Sequence, residues 1–230
     1  MQNRYTPVQF RAPPPDEPSV KTKTGIVKPA MKILAFSGSP RKEGKTAGLL
    51  SEVLAGASEL GAETELVHLV DTPVRQCMGC YSENPDDCDI LHCTRGELAD
   101  GMAGLFQKII WADGIVIGSP VYWYSVSGLT KTFLDRLTPL ENKEKYLDGK
   151  PCGLVAVSED EGSVAALAPI AVALCWMGFI IPPYGIVYDN TIGPDEALED
   201  ARRLGRNLAW LCDKLKGYNF HDGEAMRPEE

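Results

Sequence analysis

The chain has 230 residues, 44% of them hydrophobic and 24% charged, which is the composition of a globular protein with one large domain. A formal net charge of −9 provides no basic field that would attract nucleic acid. Residues 1–30 lack the apolar stretch that a secretion signal requires, so we expect the protein to remain in the cytosol. Seven cysteines in such a chain favour thiol, redox or metal chemistry over structural disulfides.

Residues 1–30 are predicted to form an N-terminal arm outside the fold, either extended or disordered. They contain Pro13, Pro14 and Pro15, scattered charges and no periodic apolar spacing. A C-terminal tail is expected over residues 218–230, after a last helix that ends at Gly217. The region between the arm and the tail contains no linker that would divide it, so we interpret residues 31–217 as a single domain.

The apolar run over residues 164–181 is about as long as the shortest membrane span. It contains Pro169 and Gly178, lacks basic flanks and is followed by Pro182 and Pro183, where a helix cannot continue. We therefore predict a buried helix over residues 163–177, then a buried strand over residues 179–187, and no membrane partner.

Short apolar runs alternate with longer amphipathic stretches, which predicts parallel strands with covering helices. The predicted strands are residues 32–37, 63–69, 114–118, 153–158 and 179–187. Their runs are apolar nearly throughout, as expected where helices cover both faces of a sheet. Helical spacing recurs from Leu98 to Ile109 and from Leu198 to Leu215. In an open parallel sheet of this kind, ligands bind beyond the carboxyl ends of the strands.

The loop after the first predicted strand, residues 37–46, is built for an anion, and we call it the phosphate loop. Its glycines let backbone amides approach closely, and the following helix N-terminus adds positive potential. The side-chain donors are Ser37, Ser39, Arg41 and Thr46. The end of the loop matches a nucleoside-triphosphate motif, but Gly38 and Gly44 are one residue too far apart and no strand supplies a magnesium ligand. The remaining alternative is a basic surface turn.

A second loop, after the third predicted strand, narrows the class of protein that the phosphate loop indicates. The third predicted strand leads into Ser119-Pro120-Val121-Tyr122-Trp123, and a segment ending in Lys131-Thr132-Phe133-Leu134-Asp135-Arg136 follows. Together with the Ser-Gly-Ser-Pro-Arg phosphate loop, these segments resemble the NADPH-dependent FMN reductase and iron–sulfur flavoprotein superfamily. The similarity covers roughly residues 31–190.

The resemblance implies a flavodoxin-like α/β fold: a five-stranded parallel sheet of order 2-1-3-4-5, with helices on both faces, in a homodimer or homotetramer. By position, the FMN phosphate would be held by Ser39, Arg41, Lys45 and Thr46, with Ser37 beside them. The isoalloxazine ring would be lined by Pro120, Val121, Tyr122 and Trp123. A flat ring needs apolar walls and backbone donors along its polar edge, and this strand end supplies both. The alternative is that residues 122–124 form an aromatic cluster in the core or at an oligomer interface.

The loop after the fourth predicted strand departs from the family, because Glu159, Asp160 and Glu161 stand where relatives carry glycines and hydroxyls. Three carboxylates facing inward would repel an anionic flavin or a phosphate. From this loop we expect only Ser158 and Gly162 to contact the flavin, and we assign no role to the three acidic residues.

Four cysteines, Cys77, Cys80, Cys88 and Cys93, lie within seventeen residues after the second predicted strand. In the iron–sulfur branch that the chain resembles, a compact cysteine motif in this region binds a [4Fe–4S] cluster. The spacing here differs, since Glu83 stands where a third close cysteine is expected. The other interpretations are zinc bound by the same four cysteines, or with His92 in place of one of them, and unligated thiols. The remaining Cys152, Cys175 and Cys212 are predicted to be buried.

The resemblance implies that NAD(P)H reduces FMN by hydride transfer to flavin N5, so that no catalytic side chain is expected. A small acceptor, such as a quinone, free flavin, nitro compound or metal centre, then enters the same face, which gives ping-pong kinetics. Two alternatives stay open: an iron–sulfur flavoprotein that acts as an electron-transfer protein, and a non-catalytic flavodoxin-like binding module.

Overall fold

The computed structural model describes residues 19–21, 27–29, 31–96, 99–189, 194–216 and 218. Its central sheet contains the strands β1 (Lys32–Ser37), β2 (Glu63–His68), β3 (Gly114–Tyr122), β4 (Cys152–Val157) and β5 (Ile186–Asp189). Neighbouring strands are parallel and follow the order β2-β1-β3-β4-β5. The predicted order 2-1-3-4-5 and the α/β fold class are therefore confirmed.

Helices cover both faces of this sheet. They are α1 (Lys45–Ser58), α2 (Cys80–Glu83), α3 (Ile90–Cys93), α4 (Met102–Trp111), α5 (Gly128–Asp135), α6 (Thr138–Asn142), α7 (Ser163–Trp176) and α8 (Pro194–Leu215). Because successive strand residues point to opposite faces, Ile33 and Ala35 of β1 pack with α1 and α8, whereas Leu34 and Phe36 pack with α4, α5 and α7. The sheet thus separates two hydrophobic cores.

The strands differ in burial according to their place in the sheet. The central strands β1, β3 and β4 are almost wholly buried, as their apolar runs predict. The edge strands β2 and β5 instead alternate between more exposed and more buried positions. The expectation of strands that are apolar throughout therefore holds only where neighbours lie on both sides.

The strand predicted over residues 179–187 is wrong for most of its length, because β5 begins only at Ile186. Pro182 and Pro183 have no N–H group to donate to a strand ladder, and Tyr184 has a φ of 57°. Two other boundaries differ. β3 continues to Tyr122 instead of ending at Gly118, and the helix predicted from the spacing of Leu98 to Ile109 begins at Met102.

The helix predicted over residues 163–177 is confirmed as α7, which has no charged residue. Its predicted burial holds for one side only, because Val164, Val172 and Trp176 are exposed. No helix among the described residues has both the length and the apolarity needed to cross a bilayer. In the predicted arm, Ser19–Lys21 and Val27–Pro29 pair as antiparallel strands. The rest of the arm, Leu98, Gly217 and residues 219–230 of the tail lie outside the described residues.

Candidate functional site

A cleft of about 310 Å³ opens at the carboxyl ends of β1, β3 and β4, and we call it the strand-end cleft. The structure brings most of the predicted flavin contacts to its wall: Ser39, Arg41, Lys45, Thr46, Pro120, Val121, Tyr122 and Ser158. Gly44, Val157 and Glu159 complete the lining. The predicted contacts Ser37, Trp123 and Gly162 lie outside it.

One half of the cleft is an array of hydrogen-bond donors. Ser39 and Thr46 are buried there, and the amide of Arg41 donates to Ser39 Oγ over 3.1 Å. Helix α1 starts after Gly44 with no side-chain cap and no acidic residue in its first turn. Its first amides therefore remain available, and together with the Arg41 guanidinium they suit a phosphate group. Ser37 lies beneath, where it accepts a bond from the amide of Ser39.

The phosphate loop rests directly on the first turn of α5. The hydroxyl of Ser127, the N-cap of α5, donates to Gly38 O over 2.6 Å, and the amide of Gly38 donates to Gly118 O over 2.8 Å. A Cβ atom at position 38 would lie 1.8 Å from Thr130 Oγ1. Only glycine fits this contact, which fixes the phosphate loop beside the end of β3.

The other half of the cleft is apolar and is formed by Pro120, Val121 and Tyr122. After Tyr122 the chain turns back, and Ser125–Val126 pairs antiparallel with Val121 and Tyr122. The two turn residues, Trp123 and Tyr124, have φ values of 50° and 59°, a conformation that this tight turn demands and that asparagine or glycine usually adopts. Trp123 is 97% exposed and is not among the residues that line the cleft, so its contact with the ring stays a prediction.

The loop after β4 contributes through Ser158, whose hydroxyl accepts a bond of 2.9 Å from Ser163. Gly162 does not reach the cleft. It has a φ of 99° and its missing Cβ leaves space for Tyr124. Of the three consecutive acids, Glu159 lines the cleft, whereas Asp160 and Glu161 are exposed and do not. Glu159 therefore adds one negative charge at the cleft wall.

Asp189 is a buried carboxylate near the cleft that the sequence interpretation did not include. It ends β5, and its Oδ2 lies 3.4 Å from Nζ of the cleft residue Lys45. Its Oδ1 is buried and has no hydrogen-bond partner among the described residues. The signal for it was present, since an acidic residue that ends an apolar strand lies at the ligand-binding edge of such a sheet.

Residues 72–101, which we call the cysteine loop, carry the four clustered thiols. Cys77, Cys80, Cys88 and Cys93 line one small cavity of about 30 Å³. Burial raises the pKa of Cys88 to about 11, and the other three thiols add to that shift. Elsewhere, Cys152 and Cys212 are buried as predicted, but Cys175 is exposed on α7, so its predicted burial is wrong.

These thiols suit an iron–sulfur cluster in kind, because thiolates are its protein ligands. The distances between their sulfur atoms in the structure, however, do not suit such a cluster. In the described ranges, no three His, Cys, Asp or Glu side chains lie close enough together to hold a metal ion. Binding of a cluster would require the cysteine loop to draw its sulfur atoms together.

Three side chains join the cysteine loop to the body of the protein: Asn142 and Lys143, which donate to carbonyl oxygens of residues 85–88, and the buried Arg136. Arg136 is only 1% exposed, and its Nη1 forms an ion pair of 2.8 Å with buried Asp100. Its Nε donates to Cys93 Sγ over 3.1 Å, and its Nη2 donates to Cys93 O over 2.7 Å. Burial raises the pKa of Cys93, while Arg136 acts in the opposite direction. In the sequence, both Asp135 and Arg136 stand between the buried Leu134 and Leu137, and this pattern does not show which of the two is buried.

A groove of about 1110 Å³, larger than the strand-end cleft, runs along the cysteine loop. Met78, Cys80 and His92 line both this groove and the small cysteine cavity. The groove has no lining residue in common with the strand-end cleft. The smaller cleft is the better candidate for a phosphate-bearing ligand, because hydroxyl and guanidinium groups converge there with the N-terminus of α1.

The sequence profile of the family described as NADPH-dependent FMN reductase matches residues 31–192 of the chain. An iron–sulfur flavoprotein of Methanocaldococcus jannaschii is 32% identical to the chain in an alignment of 206 residues, which covers 81% of this chain and 100% of that protein.

Solved structures share the fold. RosB with bound 8-demethyl-8-formylriboflavin-5'-phosphate has a TM-score of 0.67 at 21% identity, with coverage of 81% of each chain. A flavodoxin from the domain Archaea has a TM-score of 0.54 at 16% identity, with coverage of 80% of this chain and 99% of that one. At such identities the likeness shows that the fold is flavodoxin-like.

We expect Gly38→Ala to lower the free energy of unfolding by about 1–3 kcal/mol, because the added methyl group would overlap Thr130 Oγ1. Adding Thr130→Ala to this variant should recover part of the loss. Urea denaturation measures both effects.

Gly48→Ala is the matched control. Nothing lies within 4 Å of a Cβ at position 48, which is inside α1, so alanine there should be neutral or stabilising. Equal stability of Gly38→Ala and Gly48→Ala would contradict the close contact between the phosphate loop and α5.

Proposed function

Because the chain belongs to the NADPH-dependent FMN reductase family, we propose that it binds FMN in the strand-end cleft, oxidises NAD(P)H and reduces a small acceptor. The observation that carries the proposal is the composition of this cleft. Donors for a phosphate converge at one end, and an apolar strand terminus lies at the other. A mononucleotide with a charged tail and a flat ring has the same polarity.

At the phosphate end, the hydroxyls of Ser39 and Thr46, the Arg41 guanidinium and the first amides of α1 supply donors. Lys45 is shared between the cleft and Asp189, so its charge is already partly balanced. We therefore assign the main charge on the phosphate side to Arg41, whose planar group can bind two oxygens at once.

At the ring end, Pro120, Val121 and Tyr122 form an apolar wall on β3, and Ser158 adds a hydroxyl from β4. Bound FMN would supply hydride acceptance and donation at its ring. The chain would orient the ring and exclude water from its covered face. With one face covered by β3, NAD(P)H and the acceptor would use the other face in turn, which is the basis for ping-pong kinetics.

The test is to load the purified chain with FMN and follow NAD(P)H oxidation with menadione as acceptor. We expect saturable turnover that depends on bound FMN. Tight FMN binding without turnover would favour a non-catalytic binding module, and failure to bind FMN would reject the proposal.

Arg41→Ala should weaken FMN binding by about ten- to a hundredfold, because it removes a charge-assisted contact to the phosphate. Flavin fluorescence titration measures the change, and riboflavin, which lacks the phosphate, should lose far less affinity. Lys42→Met is the control, since Lys42 pairs with Asp71 over 2.7 Å and does not line the cleft. If the two variants bind FMN equally well, the phosphate is held elsewhere.

A second candidate function is electron transfer by an iron–sulfur flavoprotein. Two observations favour it: four thiols share one cavity, and the relative from Methanocaldococcus jannaschii has that name. The ligands would be Cys77, Cys80, Cys88 and Cys93. A bound cluster would supply one-electron chemistry beside the two-electron chemistry of FMN.

Anaerobic purification followed by iron and sulfide analysis tests this candidate. A cluster predicts about four irons and four sulfides per chain, and their loss in Cys88→Ser. Cys175→Ser, which changes an exposed thiol on α7, should keep them. Zinc without sulfide would indicate a zinc site, and the absence of both would leave unligated thiols.

The apolar outer face of α7 supports self-association into a homodimer or homotetramer. Helix α7 carries no charged residue, and its outer face exposes Val164, Val172 and Trp176, the last to 88%. A helix that is apolar on all sides is normally covered on all sides. This face offers no charged side chain, so a charged or polar partner surface would leave its own groups without hydrogen bonds or ion pairs. We therefore propose that the same apolar face of a second copy of the chain covers it.

Trp176→Glu should shift the chain towards the monomer in sedimentation-velocity experiments, because it places a charge in the proposed apolar interface. Trp210→Glu provides the control, as Trp210 is also exposed but lies on α8 next to Lys214. An unchanged sedimentation coefficient for Trp176→Glu would mean that α7 is not the interface.

A further inference from the structure

Asp189 is a carboxylate that the fold buries behind the wall of the strand-end cleft. Alternate strand residues point to the same face, so Asp189 shares a face with Val187, which packs in the core formed with α1 and α8. The carbonyl of Asp189 accepts a bond of 3.0 Å from the amide of the cleft residue Ser158. Its side chain is only 6% exposed and lies beside the first residue of α1, Lys45.

The carboxylate of Asp189 is incompletely paired. Its Oδ2 lies 3.4 Å from Lys45 Nζ, whereas a charge-assisted hydrogen bond of this kind is usually about 2.7–2.9 Å long. Its Oδ1 is buried and has no hydrogen-bond partner within the described part of the chain. Incomplete pairing of a buried carboxylate is unfavourable. Asp189 therefore attracts the ammonium group of Lys45 strongly.

Lys45 lies where a phosphate would attract it as well. It lines the strand-end cleft, and its side chain is 58% exposed, so the ammonium group has room to move towards a ligand. A phosphate monoester carries about −1.5 to −2 charges at pH 7 and is stabilised at a helix N-terminus such as that of α1. The carboxylate and a bound phosphate would thus draw the same ammonium group in different directions.

The formal charges around the phosphate end of the cleft cancel. Arg41 and Lys45 are positive, Glu159 in the wall is negative, and so is Asp189 behind it. The start of α1 adds a partial positive charge to this balance. Loss of the charge of Asp189 would leave the phosphate end positive and would release Lys45 towards the ligand.

We propose that Asp189 is a specificity-determining residue of the strand-end cleft: its carboxylate competes with the flavin phosphate for Lys45 and limits the preference of the cleft for phosphorylated over unphosphorylated flavin. This inference rests on the proposed binding of FMN. Asp189 acts through Lys45 and does not line the cleft, so the contacts of the flavin ring are independent of it. Its effect is confined to the phosphate, and it favours exchange of FMN over permanent retention.

The test variant is Asp189→Asn, which keeps the shape of the side chain and removes its charge. Asp71→Asn is the matched control, because Asp71 pairs with Lys42 of the phosphate loop over 2.7 Å and neither residue lines the cleft. Lys45→Met, made in the wild-type chain and in Asp189→Asn, completes a double-mutant cycle that measures how far Asp189 acts through Lys45.

Fluorescence titration gives the affinities for FMN and riboflavin. We expect Asp189→Asn to bind FMN about tenfold more tightly and to release it about tenfold more slowly, with riboflavin affinity within about twofold. Asp71→Asn should leave both affinities within about twofold of the wild type. Lys45→Met should cost more FMN affinity in Asp189→Asn than in the wild-type chain, because Lys45 then serves the phosphate alone.

Weaker or unchanged FMN binding by Asp189→Asn would overturn the proposal, since a carboxylate that merely supports the fold or orients Lys45 gives that result. An equal gain for riboflavin, or an additive double-mutant cycle, would overturn it too.

Two further measurements decide cases that the flavin titrations leave open. If the wild-type chain does not bind FMN, the proposed function fails, and inorganic phosphate followed by NMR shifts of the first amides of α1 tests the inference: Asp189→Asn must bind it more tightly. If Asp189→Asn does not fold, acetylation of the wild-type chain decides. FMN should protect Lys45 about tenfold more than riboflavin does, with Lys42 as the internal reference, and equal protection would contradict the competition.

Discussion

The contact between the backbone of Gly38 and the first turn of α5 is the constraint on which the rest of the site depends. Strand order makes β1 and β3 neighbours, so their following loops begin side by side. Gly38 then brings the phosphate loop against Ser127 and Thr130, at a distance that no side chain allows. The donor half and the apolar half of the strand-end cleft face each other because of this packing.

The sequence predicts the fold well where the pattern is local and repeated. Central strands, covering helices and the residues that line the cleft follow from apolar periodicity and from two loop motifs. The features that the sequence does not predict depend on tertiary contacts. The exposure of Trp123 results from a hairpin that pairs Ser125–Val126 with β3. A strand of two residues is too short to produce a periodic pattern in the sequence. The late start of β5 results from the conformation of residues 182–184. The roles of Asp189 and Arg136 depend on partners far away in the sequence.

Positive and negative charges are balanced differently in the strand-end cleft and in the cysteine loop. At the strand-end cleft, Arg41 and the start of α1 provide positive potential, while Asp189 and Glu159 limit it. At the cysteine loop, the buried positive charge of Arg136 is balanced by Asp100 and directed at the sulfur of Cys93. Helix α5 connects the two regions, since Ser127 begins it and Arg136 follows its last residue. The strand-end cleft and the cysteine loop thereby lie at opposite ends of the same helix.

A crystal structure of the complex with FMN tests the central claim most directly. The account predicts the phosphate within hydrogen-bonding distance of Ser39, Thr46 and the first amides of α1, and the isoalloxazine ring against residues 120–122. It also predicts that Gly38 keeps its contact with Ser127. FMN bound in the groove along the cysteine loop, or in the strand-end cleft with its ring towards α1, would contradict the account.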